Sequence, residues 1–318
     1  MKKIWSLGIS MLDLVTQPIT EWPEYGGAVN ADSADLCMGG TALNTAVTIA
    51  KLGGAPVGLI SCIGRDIGAD IIKSGLKDLD IDTNHLFVTE NAKTGCAICF
   101  VHPNGERSFV LCVSANNELD ESKIDFDAFH EGDFLHIGGA MAMQRTQGKD
   151  LAGILKRAKA KGVTISIDTC WDVTNQWKAT LDPSLPYCDI LITNEEESMR
   201  YSETGSFEEA IQHFISRGPQ IVIVKMGSKG AYVYSSEFTG MIPAFNVKAV
   251  DGTGSGDSFV GAFLVGRYHN WPIEQSAVFA SAVGAKCVTS YGATAGIVSY
   301  AETVEFIKSQ SRTAGWTW

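Results

Sequence analysis

The sequence predicts an α/β fold in which helices flank both faces of a central, mostly parallel sheet, and a small β-sheet lies beside it. Strand-like and helix-like segments alternate over most of the chain, as in parallel sheets whose strands are connected by helices. Near residue 100 an Asn-Gly turn between two strand-like segments interrupts that alternation. A chain of 318 residues with 45% hydrophobic content is long enough for one large domain and a smaller one.

The alternating segments can be assigned in chain order. The predicted strands of the main sheet are residues 4–9, 57–63, 134–137, 163–168, 190–193 and 221–225, followed by a hairpin of residues 230–234 and 241–245. The predicted helices are residues 42–52, 67–79, 149–161, 207–217, 258–269, 273–290 and 302–308. Several carry apolar residues at spacings of three and four, which is typical of a helix with a buried face.

The small β-sheet is predicted from three segments. Residues 95–101 and 108–113 form the hairpin, and the Pro-, Gly- and Asp-rich segment 14–36 joins it. We therefore expect a large domain and a small β lid. The large domain would comprise residues 1–12, 37–93 and 114–318, and the lid residues 13–36 and 94–113.

Composition excludes several functional classes. The net charge of −11 argues against a nucleic-acid-binding protein, which would normally carry a basic patch. We also expect no membrane association, because no apolar run reaches the roughly 18 residues that span a bilayer, and Asp13 interrupts the only stretch resembling a signal peptide. The eight cysteines are expected to be reduced thiols in a cytoplasmic protein.

The most informative motif is the glycine-rich segment from Asp251 to Asp257, which leads into an apolar helix. A helix that begins in such a turn presents unpaired N–H groups and a positive dipole end, which suit a phosphate or a developing oxyanion. A carboxylate at position 257 would repel bound phosphate, so it is better explained as a base beside the anion site. The alternative is a tight turn in which Asp257 caps the helix.

A second motif, Asn194 to Glu197, follows a predicted strand directly. Polar residues at the carboxyl ends of parallel strands lie where open α/β sheets bind ligands. Asn194 and Glu197 offer the oxygen ligands that hydrated Mg²⁺ prefers. The alternative is a helix N-terminus stabilised by acidic residues.

A third motif comprises Gly39, Gly40 and Asn44. The glycines let a ligand approach the backbone, and the Asn44 amide can both donate to and accept from a pair of hydroxyls. Asp13, expected at the carboxyl end of the first strand, could accept hydrogen bonds from sugar hydroxyls. The alternatives are a plain loop-to-helix junction and a solvated turn residue.

Taken in order, GG-x-x-x-N, N-x-x-E and D-x-x-G-x-G-D before two closing helices resemble the ribokinase (PfkB-type) carbohydrate kinases. The resemblance covers residues 3 to 307 and implies a ribokinase-like fold with a lid. It implies an ATP-dependent enzyme that phosphorylates a primary hydroxyl of a small sugar or sugar acid and uses Mg²⁺. It also implies K⁺ as an activating ion and a homodimer formed through the lid.

The resemblance also implies roles for individual residues. Asp257 matches the family's general base, and the amides of Gly254, Ser255 and Gly256 match its anion hole. Glu197 with Asn194 matches the magnesium site. The remaining matches fall into three sets: sugar contacts at Asp13, Gly39, Gly40 and Asn44; nucleotide contacts at Asn194, Lys225, Gly227, Gly230, Thr253, Gly254, Gly256, Ser281 and Gly284; and a monovalent-cation position at Asp251.

Some positions depart from the family pattern and leave the substrate open. Ile9 stands where many members carry an acid, Gly252 replaces the customary Thr, and Trp171 lies in a segment that is usually polar. Ile9 and Trp171 would suit a nucleoside, so a nucleoside kinase of the same fold is the alternative function. Arg107 could reach an anionic substrate group or be a solvated lid charge.

Two functions from other classes are disfavoured. A nicotinamide-dependent oxidoreductase needs G-x-G-x-x-G after an early strand, and here Gly8 precedes Ile-Ser-Met-Leu. A catalytically inactive sugar sensor would lack the base or the anion-binding glycines, whereas Asp257, Gly254 and Gly256 are all present.

Overall fold

The computed structural model describes residues 2–16, 19–102, 107–310 and 315–318, so the predicted Asn-Gly turn lies outside the described residues. Its strands are β1 (Ile4–Gly8), β2 (Met11–Thr16), β3 (Ala34–Gly39), β4 (Val57–Gly64), β5 (Ile81–Asp82), β6 (Leu86–Thr89), β7 (Gly95–Val101), β8 (Arg107–Cys112), β9 (Phe134–Gly138), β10 (Thr164–Asp168), β11 (Ile190–Asn194), β12 (Ile221–Lys225), β13 (Ala231–Tyr234) and β14 (Thr239–Ile242). Its helices are α1 (Thr41–Leu52), α2 (Ile67–Leu76), α3 (Gly148–Lys159), α4 (Lys178–Leu181), α5 (Glu195–Ser202), α6 (Phe207–Ile215), α7 (Ser255–Tyr268), α8 (Ile273–Cys287) and α9 (Tyr300–Ser309).

The main sheet confirms the predicted α/β fold. Over the described ranges it has ten strands, nine of them in the order β14-β13-β12-β11-β10-β9-β1-β4-β5, with β6 paired to β4. The strands from β12 to β4 are parallel, whereas β13 and β14 are antiparallel. β1 lies between β4 and β9, so the chain continues on one side of β1 first and on its other side later. Such a switch point opens a crevice at the carboxyl ends of the strands, where ligands bind.

Helices cover both faces of this sheet. Successive side chains of a strand point to opposite faces, and each face packs into its own hydrophobic core. In β12, for example, Ile223 belongs to the core beneath α1, α7 and α8, while Val222 and Val224 belong to the core beneath α3 and α6. Burying one such side chain contributes about 1.5–3 kcal/mol. The two cores hold the strand ends, and hence the polar side chains on them, at fixed positions.

A separate four-stranded sheet forms the lid, in the order β3-β2-β7-β8 among the described strands. The first lid segment was predicted as residues 13–36. In the structure β2 starts two residues earlier, at Met11, and β3 ends three residues later, at Gly39. Asp13 therefore lies within the lid strand β2, and the expectation that it ends the first strand was wrong. Gly8, with φ 149°, ends β1 and redirects the chain into the lid.

The root of the lid is fixed by the side chain of Asn116, which is fully buried. Its Oδ1 accepts from the Ser10 amide at 2.8 Å, and its Nδ2 donates to the carbonyls of Ser10 and Val113, each at 2.9 Å. Ser10 lies between β1 and β2, and Val113 follows β8. One amide group therefore joins the entry of the lid to its exit.

Several element boundaries differ from the prediction. α7 begins at Ser255, three residues before the predicted start, because Gly254 adopts a left-handed conformation that caps it. α8 ends at Cys287 and β14 at Ile242, both earlier than expected. Among the helices of the described ranges, none has the length and apolar character needed to cross a bilayer.

Candidate active site

The glycine-rich loop and the start of α7 form the centre of the site. Gly254 has φ 72°, and a Cβ there would lie 2.1 Å from the carbonyl oxygen of Ala293, so the position excludes any side chain. The Ser255 amide donates to the Gly252 carbonyl at 3.3 Å. Gly256 and Asp257 belong to the first turn, whose N–H groups have no acceptor four residues earlier within the helix. This turn combines N–H groups that lack acceptors within the helix with the positive end of the helix dipole, and it is suited to bind an anion.

Asp257 is held by α1. Its Oδ2 accepts a hydrogen bond of 2.7 Å from Asn44 Nδ2. The two helices approach closely at Gly261, where an added Cβ would lie 3.1 Å from the Thr45 carbonyl. Burial raises the pKa of Asp257 to about 6, the Asn44 hydrogen bond opposes that rise, and the charges of Asp168 and Lys225 act in opposite directions. A carboxyl group of such pKa is suited to take a proton near neutral pH.

Asp13 faces the same region from the lid. It is buried, and a Cβ on Gly39 would lie 2.0 Å from its Oδ2, so the carboxylate rests on the Gly39 backbone. Gly40 is similarly constrained, because a Cβ there would lie 2.5 Å from the Ile9 carbonyl. Burial, followed by the charges of Asp257 and Asp251, raises the pKa of Asp13 to about 7. The charge of Asp257 thus acts on Asp13, which links the lid to the anion site.

Asn194 is the N-cap of α5, and the first turn of that helix is acidic, as the alternative interpretation proposed. Its Oδ1 accepts from the Glu197 amide at 2.8 Å. Glu197 is buried, its Oε2 accepts from the Thr169 hydroxyl at 2.6 Å, and burial raises its pKa. Because one oxygen of each side chain is already engaged and the carboxylate lies below the surface, these residues fit Mg²⁺ held through its waters better than direct coordination.

Asp251 connects two loops. Its Oδ1 accepts from the amide and hydroxyl of Thr253 at 2.9 and 2.7 Å, and its Oδ2 accepts from the Gly292 amide at 2.8 Å. The carboxylate therefore ties the glycine-rich loop to the turn after α8. In the part of the chain that the structure describes, no cluster of three or more His, Cys, Asp or Glu residues could hold a metal ion.

A pocket of about 770 Å³ opens beside the first turn of α7. Of the residues predicted to bind nucleotide it is lined by Asn194, Lys225, Gly227, Gly230, Gly256, Ser281 and Gly284. Thr253 and Gly254 do not line it, although their neighbours Gly252 and Ser255 do. Sequence reasoning missed part of the wall, namely Ala244, Phe245, Asn246, Val247, Ala249 and Phe259. No motif marks that segment, because it contributes mainly apolar surface and backbone.

An ion pair at this edge of the sheet was also missed. Lys225 Nζ lies 2.7 and 2.8 Å from the two carboxylate oxygens of Asp168. Asp168 is the last residue of β10, just as Asn194 is the last residue of β11. The strand-end rule that identified Asn194 could therefore have identified Asp168.

Two further predicted residues have different outcomes. The backbone of Arg107 pairs with Val101 in the lid, but its side chain lies outside the described residues. Trp171 is half exposed and packs edge-on against Trp177 at 4.9 Å, with the Arg200 guanidinium 4.7 Å from its ring centre. Trp171 is thus part of a cluster with α5.

A comparison of the whole sequence with known protein families agrees with the geometry of the site. The profile of the pfkB family carbohydrate kinases matches residues 1–299. The chain belongs to this family. The resemblance inferred from the motifs is thereby confirmed, and with it the class of activity: the protein is a carbohydrate kinase, a phosphotransferase.

Relatives of this kinase differ in their acceptors. A fructokinase from Vibrio alginolyticus is 26% identical over 96% of this chain and 99% of its own length. A nucleoside kinase from Methanocaldococcus jannaschii is 27% identical over 96% of both chains. The crystal structure of a putative ribokinase II from E. coli in complex with ATP and Mg²⁺ superposes with a TM-score of 0.83 at 25% identity, covering 97% of this chain and all of the other.

Proposed function

We propose that this kinase transfers the γ-phosphoryl group of ATP to a primary hydroxyl of a small sugar or sugar acid, with Asp257 as the general base. The position of Asp257 carries the proposal. It lies in the first turn of α7 next to Gly256, which lines the 770 Å³ pocket, it is held by Asn44, and its charge acts on the lid residue Asp13.

The reaction needs a proton acceptor and charge stabilisation at one place. The acceptor hydroxyl gives its proton to the Asp257 carboxylate while its oxygen forms a bond to the γ-phosphorus. The bond from that phosphorus to the bridging oxygen breaks, and ADP leaves. The amides around Gly254, Ser255 and Gly256 would stabilise the charge on the transferred group, and one such donor is commonly worth about 2.7–4 kcal/mol.

The acceptor would bind between lid and body. Asp13 and Asn44 present a carboxylate and an amide to its hydroxyls. Gly39 lets the Asp13 carboxylate lie against its backbone, and Gly40 lets α1 begin beside the Ile9 carbonyl. The nucleotide would occupy the pocket lined by Lys225, Gly227, Gly230, Ser281 and Gly284. The ATP held in the related E. coli structure supports this assignment.

The residues present fit the ions that such a reaction uses. Asn194 and Glu197 would hold Mg²⁺ through water, and the ion would neutralise charge on the phosphates when bound. We assign Asp251 as the position for K⁺, supported by its buried carboxylate, which lies between the glycine-rich loop and the turn at Gly292.

A nucleoside is the second candidate acceptor. Across the lid sheet, Asp13 is in register with Leu111 and Val15 with Phe109, each through one residue of β7. Leu111 and Phe109 therefore lie on the same face of the lid as Asp13. Their side chains are 41% and 50% exposed. An aromatic base would cover this apolar surface better than a bare sugar would.

The opposite lid face supports a homodimer. Leu36, Leu14, Ile98 and Val110 form one cross-strand row on the face away from Asp13. Leu36 and Val110 are more than half exposed, and a second copy of the chain would cover them. Sedimentation of Val110→Glu should show a monomer where the parent shows a dimer, and a monomeric parent would refute the assignment.

The function is tested by measuring ADP release with Mg²⁺ over a panel of sugars, sugar acids and nucleosides. Asp257→Asn should abolish turnover of whichever acceptor is used, whereas Asp127→Asn, at an exposed surface carboxylate, should not. Turnover that survives in Asp257→Asn would refute its role as base. The preferred acceptor class distinguishes the two candidate functions.

A further inference from the structure

The Lys225–Asp168 ion pair is buried at the carboxyl edge of the sheet. The Lys225 side chain is 18% exposed and that of Asp168 is 5% exposed. Taking both charges out of water costs several kcal/mol, and an apolar pair of similar size is often no less stable. A stability role alone therefore accounts poorly for two charges at this point of the fold.

The ammonium group lies at the anion-binding turn. A Cβ on Gly256 would lie 3.1 Å from Lys225 Nζ, so the ammonium is in contact with the first turn of α7. Lys225 pairs with Asn194 across β11 and β12 and lines the 770 Å³ pocket. Its charge thus lies at the wall of the pocket and acts on Asp257.

The surroundings keep Lys225 protonated. Burial lowers the pKa of the ammonium, but Asp168 and, further away, Glu197 and Asp257 raise it above its ordinary value overall. An ammonium has three donors, and the contacts to Asp168 use two of them. One donor remains for an oxygen of a bound phosphoryl group.

We propose that Lys225 is a catalytic residue that donates to an oxygen of the γ-phosphoryl group during transfer, and that Asp168 is its positioning residue. This inference rests on the proposed function. The proton balance is unchanged, since the acceptor proton goes to Asp257 and Lys225 keeps its own. Lys225 supplies charge stabilisation in a buried site, where such contacts are strongest.

Asp168 serves to hold the cation away from the base. A lysine free to pair directly with Asp257 would make that carboxylate a weaker base, because a neighbouring positive charge favours the ionised form. Because both carboxylate oxygens of Asp168 accept from the ammonium, the pair presents little net charge to Asp257. The groups that act on Asp257 are then Asn44 from α1, Lys225 from β12 and Asp168 from β10, and Asp257 in turn acts on Asp13 from β2.

The test compares Lys225→Met, Asp168→Asn and the double variant in steady-state kinetics with the best acceptor of the panel. Lys161→Met and Asp127→Asn are matched controls, since that pair has the same 2.7 Å separation at the surface. We expect Lys225→Met to lower kcat by about 10²- to 10³-fold, with a KM for ATP changed by less than about threefold. Asp168→Asn should lower kcat less, and the double variant should be no worse than Lys225→Met.

Two further readouts separate this role from a structural one. The acid limb of kcat/KM should move to higher pH in Lys225→Met and to lower pH in Asp168→Asn, as the opposite charges removed from Asp257 require. The double variant leaves no unpaired buried charge, so it keeps the test valid if a single variant unfolds. A kcat retained within threefold in Lys225→Met, or additive losses in the double variant, would overturn the inference while leaving the kinase function intact. An inactive parent enzyme would overturn both.

Discussion

Asn44 Nδ2 donates to Asp257 Oδ2 over 2.7 Å, joining two helices whose interacting residues are 213 positions apart in the chain. This contact places the candidate base and a candidate sugar contact side by side. It also opposes the effect of burial on Asp257, because a hydrogen bond to the ionised form favours ionisation.

Removing this hydrogen bond should therefore make Asp257 harder to ionise. In Asn44→Leu the pKa of Asp257 is expected to rise from about 6, moving the acid limb of kcat/KM to higher pH. The measurement is the pH profile between 5 and 9, with Asn84→Leu at an exposed position as the control. An unmoved limb would show that Asp257 does not set it.

Burial of Asp13 should make stability depend on pH. Its pKa rises from 3.8 to about 7 on folding, so the folded state favours the protonated form and is progressively destabilised as pH rises between those values. Asp13→Asn should consequently gain stability relative to the parent between pH 5 and pH 7, by on the order of 3 kcal/mol, and level off above. Urea unfolding at several pH values measures this. The exposed lid residue Asp35 provides the Asp→Asn control, and an equal trend there would contradict the explanation.

Gly39→Ala tests the contact between the lid backbone and Asp13. The added Cβ would lie 2.0 Å from Asp13 Oδ2, and the carboxylate can move away without unfolding the sheet. We expect the acceptor KM to rise about 10- to 100-fold, as for a lost hydrogen bond to a charged group, with the ATP KM unchanged. Gly205→Ala, where the nearest atom is 3.7 Å away, is the control. Equal changes in both KM values would argue against a local effect.

Gly254→Ala should disrupt the anion-binding turn itself. The position has φ 72°, which costs an L-residue about 1–2 kcal/mol, and the added Cβ meets the Ala293 carbonyl at 2.1 Å. We expect a lower melting temperature and a kcat reduced by at least tenfold. Gly26→Ala shares a positive φ of 78° but has open space, so it isolates the conformational cost. Similar losses in both variants would leave the turn without a special role.

Local sequence signals predicted much of the fold and part of the site. A turn of positive φ favours glycine, so the glycine at position 254 could be recognised from the local sequence alone. The same holds for a polar residue that ends a buried strand, such as Asn194. The parallel sheet was predicted from the alternation of strands and helices along the chain. Helices cover both faces of such a sheet, so its strands appear as continuous apolar segments.

Contacts between distant segments could not be read in this way. The pairing of Asp168 with Lys225 depends on β11 lying between their strands, and the Asn44–Asp257 contact depends on α1 packing against α7 at Gly261. The start of α7 was placed too late because Ser, Gly and Asp are weak helix formers, whereas the cap at Gly254 decides where the helix begins. Asp13 was assigned to the lid but expected at the carboxyl end of the first strand, because no sequence signal marks β2 as a separate strand that begins at Met11.

The lid and the body of this kinase are encoded by separate stretches of chain that meet at the Asn116 junction. Asp13, Leu111 and Phe109, which we propose face the acceptor, belong to the lid strands, whereas Asp257, Lys225 and the pocket belong to the body. The residues proposed to contact the acceptor are thus divided between the lid and the body, where Gly40 and Asn44 lie. Acceptor preference can drift through exchanges in the lid while the transfer machinery stays untouched, and grafting a lid from a relative becomes a direct way to redirect the enzyme.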